Sequence, residues 1–240
     1  MMTISTATTV REVALSLPYA TRVFEKLRID YCCGGEKPLA EACASVGIEV
    51  DSVVRMLKEV DTGEGTVPLD LQQASLTELI MYILDNHHVY TKAELARLEP
   101  LTEKVIAKHG DNHPELRRIG RLFQQLSQDL KPHMFKEEQI LFPYVVQLEK
   151  AVLHNGPAPF APFGTVDNPV RMMMTEHETV GELLRELRGA SANYTVPPAG
   201  CLSYHSLYQG LEAFENDLHQ HIHLENNLLF RRAAEMEGKL

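Results

Sequence analysis

His133-Met-Phe-Lys-Glu137-Glu-Gln-Ile-Leu-Phe142 and His221-Ile-His-Leu-Glu225-Asn-Asn-Leu-Leu-Phe230 are two copies of one pattern. Each has a histidine, a glutamate four residues on, and an apolar tail. A helix brings residues i and i+4 onto one face, one turn apart. Each copy therefore aims an imidazole and a carboxylate at a common point. Histidine and glutamate stay off the buried stripe of a helix unless they are paired or bind a metal. Two such pairs in one chain read as a two-metal site inside a helix bundle.

The apolar stripes extend the set. Around the second copy the stripe is Leu211, Phe214, Leu218, His221, Glu225 and Leu228; around the first it is Leu126, Leu130, His133, Glu137, Leu141 and Tyr144. A third helix carries Val170, Met173, His177, Gly181 and Leu184, and a first one Met81, Leu84, His88, Thr91 and Leu95. On that first helix His87 lies on a rival stripe with Ile80 and Ile83. Flanking Leu84 and Leu95 favour His88, and the pattern alone leaves His87 open. His88 to His133 is 45 residues and His177 to His221 is 44, so the bundle reads as a duplicated helical hairpin. His219 and His223 leave the stripe, His223 by about 200° from His221 on the helical wheel. Both read as surface residues.

Four imidazoles and two carboxylates without thiolate argue against structural zinc, which prefers closed Cys/His tetrahedra. The set fits non-haem iron or manganese in a bundle core. With both carboxylates bridging and an oxo or hydroxo bridge added, one position on each metal stays open for a small ligand. Asp129, one turn before His133, is a candidate acceptor for its free ring N–H; Glu176 and Glu178 flank His177 and read mainly as surface charges. Pro132 is expected to bend the second helix. Met172, Met173 and Met174 include core fillers.

The rest of the chain is helical in pattern, with no alternating strand. Ser75 with Glu78 opens the first bundle helix, which runs to about Leu98. The second runs from His113-Pro114 to about Lys150, the third from Asn168-Pro169 to Gly189, and the fourth from beyond Pro197-Pro198 to Met236. Residues 1–62 read as a small helical domain, opened by a Thr9/Glu12 capping box and a second start at Ser16 and Pro18; residues 63–74 read as a linker and 75–240 as the bundle. The fold class is all-α. The net charge of −10 has no basic stripe to offset it, which excludes a nucleic-acid binder. No membrane span and no secretory signal is present, so a cytoplasmic protein is expected.

Cys32 and Cys33 sit in Asp30-Tyr-Cys-Cys-Gly-Gly35, where the double glycine marks a turn. Adjacent cysteines chelate or bridge poorly across one planar peptide. A solvent-facing pair there is a candidate thiol delivery or redox site. Cys43 and Cys201 read as small apolar residues.

This last element and the two His-x-x-x-Glu segments, in that order over nearly the whole chain, resemble the iron–sulfur cluster repair di-iron proteins, the RIC, ScdA or YtfE family. The resemblance implies a small N-terminal domain followed by a hemerythrin-like four-helix bundle. It implies two irons held by His88, His133, His177 and His221, with Glu137 and Glu225 as bridges. It further implies a stress protein, induced by oxidative and nitrosative damage, that repairs iron–sulfur clusters in damaged partner proteins, with iron donation as one route. The alternatives are a nitric oxide reductase and a non-catalytic sensor of oxygen or nitric oxide; no attached DNA-binding or signalling module favours the sensor. A homodimer is compatible with each. Oxygen-carrying hemerythrins have a second histidine where this chain has Gly181, so the resemblance implies more open and exchangeable irons.

Overall fold

The computed structural model describes residues 4–5, 7–17, 19–60 and 71–240; Pro18 and most of the expected 63–74 linker lie outside them. Among the described residues no strand forms, and one isolated bridge pairs Thr9 with Pro38. Four short helices make the N-terminal part: α1 (Val10–Ser16), α2 (Ala20–Leu27), α3 (Leu39–Ser45) and α4 (Val50–Val60). Thr9 and Glu12 close the expected capping box on α1. Val10, Phe24, Leu39 and Leu57, with Tyr31 from the segment after α2, form a core of the N-terminal part.

The bundle follows. Its first helix is α5 (Leu76–Ile83) and α6 (Val89–His109), joined by a π-helical turn at Leu84–His88. Its second is α7 (Glu115–Lys136) and α8 (Phe142–Leu153), joined by a π turn at Glu137–Leu141. Its third is α9 (Asp167–Ala190), uninterrupted. Its fourth is α10 (Leu202–Leu224) and α11 (Phe230–Glu237), joined by a π turn at Glu225–Leu229. Each helix packs on its neighbours in sequence and α10 packs back on α6, which closes the up-down-up-down ring. The first helix outruns its expected end at Leu98 and passes Pro100 to reach His109; α7 likewise continues through Pro132 into its π turn. No helix among the described residues is long and apolar enough to cross a membrane.

The π turn settles the contest between the two stripes of the first helix. A π turn holds one residue more than an α turn. Upstream of it the buried residues are Leu76, Leu79, Ile80 and Ile83, which belong to the His87 stripe. Downstream they are Thr91, Leu95 and Leu98, which belong to the His88 stripe. Both histidines consequently turn inward, and Met81, expected on the core stripe, is exposed.

Ser75 and Glu78 form the capping box that opens α5. A second carboxylate serves the same end from across the bundle. Buried Glu149 on α8 accepts the Leu76 N–H at 2.6 Å and the Thr77 N–H and hydroxyl at 3.0 and 2.6 Å. An anion at a helix N-terminus meets unpaired N–H groups and the positive end of the dipole. Glu149→Ala is expected to cost about 2 kcal/mol by leaving buried donors unpaired. Urea denaturation measures it, and a midpoint equal to that of the parent would show that the cap contributes nothing.

Candidate metal centre

Two apolar clusters fill the bundle, one around Phe123, Phe214 and Leu218 and one around Leu79, Val145 and Phe230. Between them lies a polar ring: His88, His133, His177, His221, Glu137 and Glu225, all buried. The side chains fall into two groups, His88 with His221 and His133 with His177. Both groups share Glu137 and Glu225, and within each the candidate ligand atoms lie inside 4.8 Å of one another.

The carboxylates stand between the groups. Glu225 Oε1 is 2.9 Å from His221 Nε2 and 3.7 Å from His88 Nε2, while its Oε2 is 3.3 Å from His177 Nε2. Glu137 Oε2 is 3.3 Å from His133 Nε2 and 3.5 Å from His88 Nε2. Both oxygens of Glu137, together with His88 Nε2, are buried without a hydrogen-bond partner. An uncompensated buried carboxylate is among the most costly arrangements in a protein interior. A divalent or trivalent cation removes that cost, and an oxygen–nitrogen donor set without sulfur suits non-haem iron.

Electrostatics point the same way. Burial alone lowers the His133 pKa, yet Glu137 and Glu176 outweigh it and hold it up at about 10. Burial would raise Glu225, but the surrounding His221, His177 and His88 hold it well below the usual carboxylate range. His133 thus holds a proton where a cation would sit, while burial holds His221 below its usual value. A metal entering the ring displaces that proton, so its uptake strengthens as pH rises.

The outward ring nitrogens have partners that the sequence pattern missed. His88 Nδ1 meets Glu138 at 2.8 Å, His133 Nδ1 meets Glu176 at 2.7 Å, and His177 Nδ1 meets Asn226 at 2.8 Å. Asp129, expected to serve His133, is exposed and does not; Glu176 of α9 does. Glu178 is exposed. In each His-x-x-x-Glu copy the residue after the glutamate, Glu138 or Asn226, holds the histidine of the preceding helix. Aligning the two copies carries that signal. Such partners fix ring orientation and turn the Nε2 lone pair inward. His87 contributes differently: its ring stacks on His221 with centroids 5.5 Å apart, and its Nδ1 meets Asp217 at 3.0 Å.

His219 and His223 are not surface residues. His223 is buried and its Nδ1 donates to the Tyr31 carbonyl at 3.2 Å; half-buried His219 meets Glu25 at 2.9 Å. The face of α10 opposite the ring is an interface with the N-terminal helices, which the sequence pattern read as solvent. Neither histidine belongs to the two ring groups. His223→Ala is expected to keep the iron content of the parent protein while speeding proteolysis between the two parts. Loss of iron in His223→Ala with retention in His221→Ala would reverse the register assigned to this helix.

The Cys32–Cys33 turn is held at the same interface. Asn227 Nδ2 donates to the Tyr31 and Cys32 carbonyls, each at 3.2 Å. Asp30 Oδ1 accepts the N–H groups of Cys32, Cys33 and Gly34 at 3.2, 3.0 and 3.0 Å. Gly34 and Gly35 are not among the residues with positive φ, so the turn does not need glycine for handedness. It needs close approach: a Cβ on Gly35 would stand 2.9 Å from Asn227 Oδ1 and 3.2 Å from the Tyr31 carbonyl. Cys32, expected to face solvent, is buried; Cys33 is half-buried and its Sγ lies 3.6 Å from the His177 carbonyl. The two sulfurs are 3.9 Å apart, and both fall within 4.8 Å of a carboxylate oxygen of Asp30. The hydrogen bond that Cys32 donates to Cys33 Sγ, together with burial, pushes the Cys32 thiol well up, so it is protonated at neutral pH. Of the remaining cysteines, Cys43 is buried as expected and Cys201 is exposed. A Cβ at Gly181 would stand 3.8 Å from Cys33 Sγ. Cys33 therefore lies beside Gly181 as well as His177.

Two family models match the chain. The model of the hemerythrin HHE cation binding domain matches residues 79–233. The ScdA_N model, a domain of unknown function, matches residues 6–61. Iron-sulfur cluster repair protein YtfE of Yersinia pseudotuberculosis is 34% identical over 225 residues, which cover 94% of this chain and 96% of that protein. YtfE of Yersinia pestis shows the same identity and coverage.

Proposed function

Since the chain belongs to the family of hemerythrin-like iron–sulfur cluster repair proteins, we propose that it holds two non-haem irons in the ring and restores iron–sulfur clusters damaged by oxidative or nitrosative stress. His88 and His221 serve one iron, His133 and His177 the other, and Glu137 and Glu225 bridge them. An oxo or hydroxo bridge completes the pair. The observation that carries this reading is Glu137: a fully buried carboxylate with neither oxygen hydrogen-bonded, between two imidazole groups.

When bound, the iron pair supplies a Lewis-acidic, redox-active centre. The protein's own residues do the rest. Glu138, Glu176 and Asn226 hold three imidazoles in orientation, so each Nε2 lone pair faces inward. Leu130, Met134 and Phe230 belong to the apolar clusters on either side of the ring and keep water from it. Gly181 supplies no imidazole, which favours exchange of iron over reversible oxygen carriage. The client is a damaged iron–sulfur protein, and the iron delivered to it is cargo. Cys32 and Cys33, beside His177, are the thiols nearest the departing ion. Free cysteines throughout the described residues suit a reducing compartment such as the cytoplasm.

The test is a reconstituted repair assay under anaerobic conditions, with a nitric-oxide-damaged iron–sulfur enzyme as client. Client activity should return in proportion to the iron lost by this protein. Sustained nitric oxide consumption with an electron donor, and no iron loss, would replace the repair reading by a reductase. If neither result is seen, the proposed function is overturned.

A further inference from the structure

Asn226 touches both parts of the molecule at once. Its Oδ1 is 2.8 Å from His177 Nδ1, and its Nδ2 is 3.4 Å from the Cys32 carbonyl oxygen. The side chain is buried, so neither end can turn to water instead. At the equivalent place in the first copy stands Glu138, bonded to His88. A carboxylate only accepts. An amide accepts at one end and donates at the other. The amide occurs in the copy that faces the cysteine turn.

We propose that Asn226 is a positioning residue that passes the metal state of His177 to the Cys32–Cys33 turn. The inference rests on the metal-centre reading above. A neutral imidazole carries one N–H. A cation on Nε2 of His177 requires that proton to sit on Nδ1. Nδ1–H then donates to Oδ1 of Asn226, and the amide NH2 is left facing the Cys32 carbonyl, donor to acceptor. Without a cation the ring has a second choice, because His177 Nε2 stands 3.3 Å from the carboxylate oxygen Oε2 of Glu225 and can donate to it. Nδ1 is then an acceptor, which only the NH2 of Asn226 can satisfy. The amide turns over, and its oxygen meets the Cys32 carbonyl, acceptor to acceptor. The turn loses one tie and gains a repulsion. Iron therefore fastens the cysteine turn over the ring, and its departure loosens it.

Asn227 gives the comparison. It bonds the Tyr31 and Cys32 carbonyls, and its hydrogen bonds include none to a ring ligand. It holds the turn in either metal state.

The experiment reads the alkylation rates of Cys32 and Cys33 by iodoacetamide, resolved by peptide mass spectrometry, in full-length metal-free and iron-loaded protein. Exposed Cys201 in the same chain is the internal reference. Iron should slow alkylation of the turn by about fivefold relative to Cys201, the effect of one neutral hydrogen bond. Asn226→Ala should react at one rate with or without iron. Asn226→Asp, which keeps the oxygen for His177 but has no donor for Cys32, should bind iron and also lose the dependence. Asn227→Ala should react faster in both states and keep the ratio. Iron content is measured on the same samples. Failure of the parent protein to take up iron overturns the metal-centre reading. Full uptake with an unchanged alkylation rate, or iron-dependent slowing that persists in both Asn226 variants, overturns the relay alone.

Discussion

Alanine in place of Glu225 is expected to empty the centre. One oxygen of this carboxylate faces His221 and His88, and the other faces His177, so a single truncation removes a donor from both groups. Losses around metal sites commonly cost ten- to a hundredfold in affinity even when the ligand itself survives, and loss of a bridge should exceed that. Iron analysis after anaerobic loading and desalting is the measurement. The parent should retain two irons per chain with a coupled spectroscopic signature, and Glu225→Ala little or none. Glu137→Ala should behave alike, because its oxygens serve the same two groups. Unchanged, coupled iron in Glu225→Ala would falsify the bridging assignment. Circular dichroism guards against trivial unfolding, since the apolar clusters on either side of the ring remain.

The second large effect separates iron retention from repair. Changing Cys32→Ser together with Cys33→Ser should leave both irons in place, because no thiol belongs to the ring groups. Serine fits the space and keeps a donor for the His177 carbonyl, so the turn should hold its shape. Repair of the damaged client should nevertheless be lost. Thiolates are good ligands for iron, and Cys33 Sγ stands 3.6 Å from the His177 carbonyl, with Cys32 Sγ 3.9 Å from that sulfur. The high pKa of Cys32 means that its thiolate forms only as the turn opens or a cation approaches. Full repair by the double variant would show that the cysteines serve packing alone.

The helical stripes were legible in the sequence because one periodicity holds over long runs. Leu126 through Glu137 and Leu211 through Glu225, which run only as far as the π turns of their helices, needed only counting, and the structure brings their histidines and glutamates together with His88 and His177. The first helix was legible only in halves. Its register changes inside Leu84–His88, and a wheel drawn at one pitch must misplace residues on one side of the change, as it did Met81. The partners of the ring nitrogens were hidden for another reason. Glu138, Glu176 and Asn226 reach histidines on other helices, and sequence distance along one helix carries no such information. His219 and His223 were misread as exposed because a bundle considered alone has only one buried face per helix. The N-terminal helices cover a second face of α10, and their place was not written in α10 itself.

The three π turns make chain length part of the ring. Each occupies five residues, at Leu84–His88, Glu137–Leu141 and Glu225–Leu229, and each adjoins or contains a histidine or glutamate of the centre. Closing such a turn into plain α geometry with all its residues kept would swing one side of it by about 100° relative to the other. Ile80 and His88, eight residues apart, could then no longer face inward together. Deleting one residue from the turn removes that conflict, because a spacing of seven restores the common face. Single-codon insertions beside these turns should therefore be more damaging than single-codon deletions within them. Uninterrupted α9, by contrast, holds His177 by its register alone.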